Sequence, residues 1–262
     1  MKSLIVFFGL LFTTSYAKYR AVTLINPPFV QKNGEEVLEG FCVDLMRQVT
    51  QLNGHNFSLY LSPNGYGFNF HGKWTGMVGE LLKQRADIAV ADLTINSDRK
   101  AVVDFSTPFF ESGISALLLK SQTNQIRSWS DLANQDNISF GILESGPTRR
   151  AFQSSEDPVI RKMWRMISSN SSNFVISYTD ALRRITSGKY IFIGESSHNE
   201  YISGHRCDLT TIDSGLPHDR RYGIAFPKNS PLLQSFNLAI NHLKANGIIS
   251  ELRRKWWRSQ CK

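Results

Sequence analysis

Short apolar strands alternate with amphipathic helices along most of the chain. The first set holds the predicted strands 20–25, 57–61 and 87–91, separated by the predicted helices 39–52 and 74–85. Alternation of this kind is typical of α/β folds, in which the helices cover a sheet. The pattern therefore predicts an α/β fold with mainly parallel sheets.

A second α/β set follows the polar, linker-like segment 121–130. Its predicted elements are a helix start at Ser130, a strand at 138–142, helices at 148–153 and 158–167, a strand at 174–176, a helix at 179–187 and a strand at 190–194. A strand at 223–226 and a helix at 232–246 end the series. The segment 112–119 has no apolar helix face and is predicted to be an extended crossing segment. Two α/β units with a late return of the chain predict two lobes joined by crossing strands.

The first residues of the chain have the pattern of a secretory signal. Lys2 gives a basic start, residues 4–12 form an apolar run, and Ser15-Tyr16-Ala17 is a small-residue end. A membrane anchor is the alternative, but the run is shorter than the ~20 residues that a spanning helix needs. No later segment reaches that length. We therefore predict a signal peptide over residues 1–17 and a secreted, extracellular chain with no stable membrane span.

The charge pattern argues against nucleic-acid binding. The formal net charge is +8, and the basic residues are scattered except for a cluster at 253–255 and Arg258. No basic stripe is interleaved with stacking aromatic residues. A solvated basic face that attracts anionic ligands is the simpler interpretation.

The chain has three cysteines, so at least one is unpaired. Cys42 lies on the apolar face of a predicted helix and is expected to be a buried free thiol. Cys207 and Cys261 lie in polar surroundings of a chain predicted to be secreted. We therefore pair them as a disulfide that ties the C-terminal tail to the distal lobe.

Three Asn-x-Ser tripeptides are candidate glycosylation acceptors. They begin at Asn56, Asn137 and Asn170. Such tripeptides also arise by chance, so they are weak support for a eukaryotic source.

The stretch 91–110, ADLTINSDRKAVVDFSTPFF, carries the most specific chemical signal. An apolar strand ends before Thr94, and Ser97 is placed to cap a helix with Arg99 in its first turn. A guanidinium beside a threonine hydroxyl and free backbone N–H groups suits a carboxylate. Taken alone, Arg99 would more often form a surface salt bridge.

Nearly the whole mature chain resembles the ligand-binding domain of ionotropic glutamate receptors of the AMPA/kainate type. The matching landmarks stand in the family order and at nearly the family spacing: Glu39-Gly40-Phe41-Cys42-Val43-Asp44-Leu45, Trp74-Thr75-Gly76-Met77-Val78-Gly79-Glu80-Leu81, Ala86-Asp87-Ile88-Ala89-Val90-Ala91, Val103-Asp104-Phe105-Ser106, Gly113-Ile114-Ser115, Lys162-Met163-Trp164, Tyr222-Gly223-Ile224-Ala225 and Lys255-Trp256-Trp257. Individually most of these are weak, but together they are specific.

The resemblance implies a two-lobed clamshell of the periplasmic-binding-protein-like type II. Each lobe is then a mainly parallel sheet flanked by helices. We assign residues 18–111 and 223–262 to lobe 1 and residues 112–222 to lobe 2. In this family an amino acid closes the clamshell, and no cofactor is expected.

The resemblance also implies a role for each residue of the cleft. Arg99 matches the arginine that grips the ligand α-carboxylate, and Thr94 matches the threonine beside it. Glu195 matches the acid that receives the ammonium. Tyr66 matches the aromatic residue that covers the ligand, and Tyr222 the tyrosine that closes the amine side. The charges suit a zwitterion, since a cation and an anion come from different lobes.

Thr148 matches the residue that binds the side-chain carboxylate at a helix N-terminus, but four positions depart from the family pattern. Asp92 replaces a proline and adds a carboxylate beside the amine. Pro147 replaces a serine or alanine and removes one N–H donor. Asn26 replaces a glutamate that bridges the closed lobes, and Gly194 replaces a bulky residue and is expected to leave more room. L-Glutamate is the favoured ligand, with aspartate or a larger amino acid as alternatives.

Receptor channels carry pore helices between the two halves of this domain. Here Leu119-Lys120 runs through Ser121–Gln125 into the second lobe with no hydrophobic segment between, so we expect no ion conduction by this polypeptide alone. A secreted binding protein, or a domain that forms a dimer or associates with receptor subunits, fits this pattern. An extracytoplasmic solute-binding protein of a transporter is the alternative, although the predicted tail disulfide, the glycosylation acceptors and Trp256-Trp257 favour the receptor branch.

Catalysis and metal binding are weaker interpretations. Glu195 and Asp92 can be imagined as an acid/base pair, but no nucleophile–His–acid arrangement or phosphate loop is evident, so we predict no enzyme. His198, His205 and Cys207 are close in sequence, but their spacing fits no common zinc site. The sequence therefore predicts no metal site.

Overall fold

The computed structural model describes residues 18–34, 36–213 and 220–261, so the predicted signal peptide lies outside the described residues. The strands are β1 Lys18–Thr23, β2 Gln31–Lys32, β3 Leu38–Glu39, β4 Asn56–Leu61, β5 Asn69–Phe70, β6 Lys73–Trp74, β7 Ile88–Ala89, β8 Val103–Phe105, β9 Phe110–Ser112, β10 Ile114–Leu119, β11 Ser139–Leu143, β12 Phe174–Val175, β13 Tyr190–Glu195, β14 Leu209–Asp213, β15 Arg220–Tyr222 and β16 Ala225–Pro227. The α-helices are α1 Phe41–Asn53, α2 Gly76–Leu82, α3 Ser97–Val102, α4 Trp129–Ala133, α5 Pro147–Ser154, α6 Pro158–Ser168, α7 Tyr178–Thr186, α8 Ser196–His205, α9 Leu232–Ala245 and α10 Ile248–Trp256.

The first sheet combines strands from both ends of the chain, in the order β4-β1-β7-β16-β8. β1 pairs in parallel with β4 and β7, whereas β16 runs antiparallel to β7 and β8. Successive side chains of β1 point to opposite faces. Ala21 therefore packs in a core with α1 and α9, and Val22 packs in a second core with α2.

The second sheet uses only the middle of the chain, in the order β12-β11-β13-β10-β14. β11 is parallel to β12 and β13, whereas β10 runs antiparallel to β13 and β14. Ile191 and Ile193 face a core with α4, α5 and α6, while Phe192 faces α7 on the other side. The α/β class and the two helix-covered sheets are confirmed.

The prediction of mainly parallel sheets is correct in part: two of the four strand pairings in each sheet are parallel and two are antiparallel. The parallel half follows the helix–strand alternation, as expected. The antiparallel half is built by β10 and β16, which enter their sheets from the crossing segments and run in the opposite direction. The strands of the first sheet lie within residues 18–105 and 225–227, and those of the second lie within residues 114–213. The lobe boundaries at 111/112 and 222/223 stay a prediction.

The segment 112–119 is not a crossing segment for most of its length. β10 occupies it and lies inside the second sheet, where its residues are almost entirely buried. The crossing pair is β9 with β15, in which Tyr222 lies opposite Phe110. A central strand buried on both faces has no polar alternation, so the sequence alone did not distinguish it from a connection.

Glycines set both ends of α1. Gly40 precedes the helix at φ +129°, and a Cβ there would lie 2.4 Å from the carbonyl oxygen of Phe29. Gly54 ends the helix in the left-handed region, where its N–H bonds the carbonyl of Thr50. Gly40 tolerates no side chain and Gly54 has the left-handed conformation that glycine adopts without strain, so backbone sterics favour both boundaries of this helix.

The C-terminal tail joins the layers. α10 packs on α1 and α9, and the Nε1 of Trp257 donates to the backbone oxygen of Ser197 in α8 at 2.7 Å. The predicted disulfide between Cys207 and Cys261 is present, with an S–S length of 2.15 Å. Cys42 is buried and has no disulfide, as predicted.

Candidate functional site

Arg99 lies on α3, just beyond β7 of the first sheet. Asn96, not the predicted Ser97, caps this helix, and its side chain accepts a hydrogen bond from the Arg99 N–H at 2.9 Å. Asn and Ser cap helices about equally well, so the sequence left a one-residue ambiguity. The Arg99 guanidinium is 6% exposed and donates to the Thr94 carbonyl at 2.7 Å.

Burial, together with the charge of Arg150, lowers the pKa of Arg99 to about 10. The guanidinium therefore stays charged at neutral pH, close to a second arginine. Arg150 belongs to α5. The result is a buried cation with additional positive charge on one side.

The backbone brings Thr94 next to Tyr222. The two residues form an isolated antiparallel bridge, and the Gly223 N–H donates to the Leu93 carbonyl at 3.3 Å. Both Thr94 and Tyr222 are buried. Three of the predicted binding residues (Thr94, Arg99 and Tyr222) therefore lie in one neighbourhood.

Asp92 is the centre of a polar cluster at the end of the first sheet. The Tyr66 hydroxyl donates to Asp92 Oδ2 at 2.7 Å, and Asn26 Nδ2 donates to the same oxygen at 3.0 Å. Asn26 Nδ2 also donates to the Tyr66 hydroxyl at 2.6 Å. Burial raises the pKa of Asp92 to about 6, although the Tyr66 hydrogen bond opposes this shift. The aromatic ring predicted to cover the ligand is thus held through its hydroxyl.

Glu195 approaches from the second sheet, at the end of β13 and directly before α8. The Tyr222 hydroxyl donates to Glu195 Oε2 and lies 3.3 Å from the Ser197 hydroxyl. Burial raises the pKa of Glu195. Tyr222 therefore connects the Thr94 side of the site to the Glu195 side.

His198 is a site residue whose position the sequence did not predict. Its Nε2 lies 3.6 Å from Asp92 Oδ2. Burial lowers the pKa of His198 to about 4, so the imidazole is neutral at pH 7. The sequence pattern did not predict α8, because its mixed polar face has no clear apolar period. The available signal was a polar run directly after a buried strand, since strand ends commonly carry site residues.

Pro147 and Thr148 begin α5, after Gly146 at φ +113°. Pro147 occupies the first helical position, where its missing N–H costs the helix nothing. Thr148 is 6% exposed, and Arg220 donates to the Pro147 carbonyl at 3.4 Å. Arg220 lies in β15 with Tyr222, so this hydrogen bond links the start of α5 to the strand that carries Tyr222.

The expectation that Gly194 leaves extra room is wrong. A Cβ built on Gly194 would lie 2.5 Å from Phe192 Cε1 and 3.4 Å from Asn199 Oδ1. The Phe192 ring already occupies the space that a side chain would take. Gly194 is therefore a packing requirement of β13 and adds no volume to the site.

The glycosylation acceptors lie away from these groups. Asn56 begins the edge strand β4, and Asn137 and Asn170 lie in connections of the second sheet. All three are exposed, and their modification stays a prediction.

The comparisons with known proteins agree with this geometry. Residues 17–122 match the family model "Ligated ion channel L-glutamate- and glycine-binding site". The chain is 24% identical to "Probable glutamate receptor" of Lithobates berlandieri, over 91% of this chain and 73% of the relative. It is 28% identical to "Glutamate receptor ionotropic, kainate 5" of Homo sapiens, over 88% of this chain and 36% of the relative. The resemblance to ionotropic glutamate receptors is thereby confirmed.

The relatives are longer than this chain. The alignment to the Lithobates receptor runs over 355 positions, against 262 residues here, so the relative carries additional residues inside the aligned region. "Glutamate receptor 2" of Caenorhabditis elegans is 26% identical, and the chain spans 40% of its length. Within the described ranges, no helix has both the length and the apolar character needed to cross a membrane.

Proposed function

We propose that this protein is an extracellular ligand-binding domain that holds an α-amino acid between its two sheets. The observation that carries the proposal is the separation of charge across the site. Arg99 follows β7 of the first sheet, and Glu195 ends β13 of the second. A zwitterion bound between them satisfies both charges at once.

The carboxylate of such a ligand would bind at Arg99. A guanidinium presents a planar fork of N–H donors that matches two carboxylate oxygens. The Thr94 carbonyl accepts a hydrogen bond from Arg99 and so orients its guanidinium. The Thr94 hydroxyl would be a further donor to the ligand carboxylate. Arg99 therefore supplies the positive charge, and Thr94 holds the Arg99 guanidinium in position.

The ammonium would bind on the side of Glu195 and Asp92. Asp92 Oδ2 is held by two donors, and the Tyr222 hydroxyl holds Glu195. Carboxylates oriented in this way lose little entropy when a cation arrives. The additional carboxylate of Asp92 strengthens this side relative to the family pattern of a proline.

The ligand side chain would point to the start of α5. Thr148 offers a hydroxyl at a helix N-terminus, where the helix dipole favours negative charge. Arg150 adds positive charge on the same side. These groups favour an acidic side chain, and we propose L-glutamate as the ligand, although Pro147 removes one backbone donor.

Closure would follow from the same contacts. A buried charge without its partner is costly, so the two sides of the site are stabilised together only when a ligand connects them. A ligand that contacts both sheets binds the closed form more tightly and shifts the population toward it. We further propose that the protein is exported through residues 1–17 and acts with receptor subunits.

The test is isothermal titration of the mature protein with L-glutamate in buffer containing EDTA. We expect saturable binding that weakens at least about a hundredfold in Arg99→Ala, because a buried carboxylate loses its cation. Arg206→Ala is the matched control, since Arg206 pairs only with Asp208 on the surface in the described structure. Equal affinities for the wild type and Arg99→Ala would refute the carboxylate site.

A further inference from the structure

Three metal-ligating side chains converge where the two sheets meet. Asp92, Glu195 and His198 each offer one ligand atom, and these atoms all lie within 4.8 Å of one another. Asp92 follows β7 of the first sheet, and the other two come from the junction of β13 and α8 of the second. The cluster therefore requires both sheets.

The cluster contains buried polar atoms that the described residues leave unbonded. His198 is 4% exposed, and neither of its ring nitrogens has a hydrogen-bond partner there. Asp92 is also 4% exposed, and its Oδ1 is likewise without a partner. A buried donor or acceptor left unbonded destabilises the folded protein. A ligand that takes up these lone pairs would remove that cost.

The surroundings hold the three side chains in place. The His198 ring is stacked on Tyr178 at 5.0 Å between centroids and contacts Phe29 at 5.4 Å. The hydroxyls of Tyr66 and Tyr222 donate to Asp92 and Glu195. Hydrogen bonds of this kind orient the carboxylates that bind a metal ion and tune the affinity of the site for the metal.

We propose that Asp92, Glu195 and His198 bind a divalent transition-metal cation of the zinc type. One imidazole nitrogen and two carboxylate oxygens form a donor set that zinc accepts, with a further coordination position left for water. Magnesium and calcium prefer oxygen ligands alone, so the histidine selects against them. A divalent cation also neutralises the negative charges of both Asp92 and Glu195, whereas an ammonium group neutralises only one of them.

The cation competes with the amino acid, because its position is that of the ammonium. This competition rests on the proposed function, whereas cation binding itself does not. Zinc should weaken L-glutamate binding, and L-glutamate should weaken zinc binding by the same factor.

The first experiment titrates zinc alone into the mature protein after EDTA treatment and dialysis, without amino acid. We expect one saturable site whose affinity falls roughly a hundredfold or more in His198→Gln. His205→Gln is the matched control, because His205 lies on the same helix and bonds the Tyr201 carbonyl. Zinc affinity that is unchanged in His198→Gln overturns the proposal, as does the same loss in both variants.

A second variant guards against a folding artefact. Asp92→Asn keeps the shape of the side chain and removes its charge, and we expect it to weaken zinc binding while circular dichroism shows a folded protein. Folded Asp92→Asn protein with wild-type zinc affinity contradicts the site. L-Glutamate titrations in EDTA are read separately, so zinc binding without glutamate binding refutes the proposed function and leaves the metal site standing.

Discussion

The disulfide between Cys207 and Cys261 closes a long loop that contains much of the C-terminal part of the fold. The two cysteines are 54 residues apart in sequence, and the loop includes β16, α9 and α10. α10 packs against α1 of the first sheet, whereas Cys207 follows α8 of the second. We predict that the double substitution Cys207→Ser with Cys261→Ser lowers stability substantially without changing the fold.

The loop length sets the magnitude. The chain-entropy relation for a loop of 54 residues gives about 4 kcal/mol at 25 °C, and native disulfides typically contribute about 2–4 kcal/mol. A domain of this size loses about 2–4 °C in Tm per kcal/mol. A decrease of roughly 5–15 °C in Tm is therefore expected.

Thermal unfolding followed by circular dichroism measures this effect. The wild type in dithiothreitol should unfold near the temperature of the double variant, and the reductant should not affect the variant itself. Cys42 is buried and has no disulfide, so it gives no reductant-dependent shift. A Tm for the oxidised wild type equal to that of the double variant would refute the loop-closure argument.

Two further predictions concern packing and pH. Gly141→Ala should destabilise the protein by about 3 kcal/mol or more in urea unfolding, because a Cβ would lie 1.6 Å from the Asn173 carbonyl oxygen. Gly204→Ala is the control and should be tolerated, because its Cβ would meet nothing closer than 3.5 Å. The hydrogen bond from the Arg85 guanidinium lowers the pKa of Glu80 in the folded protein, so the unfolded state binds more protons. The ion pair therefore stabilises the folded state above about pH 4.5, and this stabilisation is lost as the pH falls through the folded-state pKa of Glu80. The difference in urea midpoint between the wild type and Glu80→Gln should therefore shrink from pH 6 to pH 3, and a constant difference would contradict the ion pair.

Local chemistry explains what could be predicted from the sequence. The local pattern of Thr94, a helix start and Arg99 suits a carboxylate, and the resemblance to the receptor family favours that role over a surface salt bridge. The cysteine pair was recognised because polar surroundings distinguish Cys207 and Cys261 from the apolar helix face of Cys42. These signals lie within a few residues, so no knowledge of the tertiary structure was needed.

One error arose from packing within a single strand, and the others arose where distant segments decide the outcome. Gly194 was expected to leave room, but the Phe192 ring of the same strand fills that space. The segment 112–119 was expected to cross between lobes, but β10 lies inside the second sheet. His198 lies on a helix without a clear apolar period, so nothing near it in sequence indicated that Asp92 would be its neighbour.

The sequence by itself determined the α/β class and the place of Arg99 in the first turn of α3. These follow from side-chain type and short spacing, which the chain carries wherever it folds. Only the tertiary structure decided that Asp92 and His198 lie 3.6 Å apart, and that Tyr222 bonds Glu195. Such contacts join residues from different elements of the fold that are far apart in sequence. These contacts depend on how the crossing strands β9 and β15 position the two sheets relative to each other, and no local sequence pattern encodes that relative position.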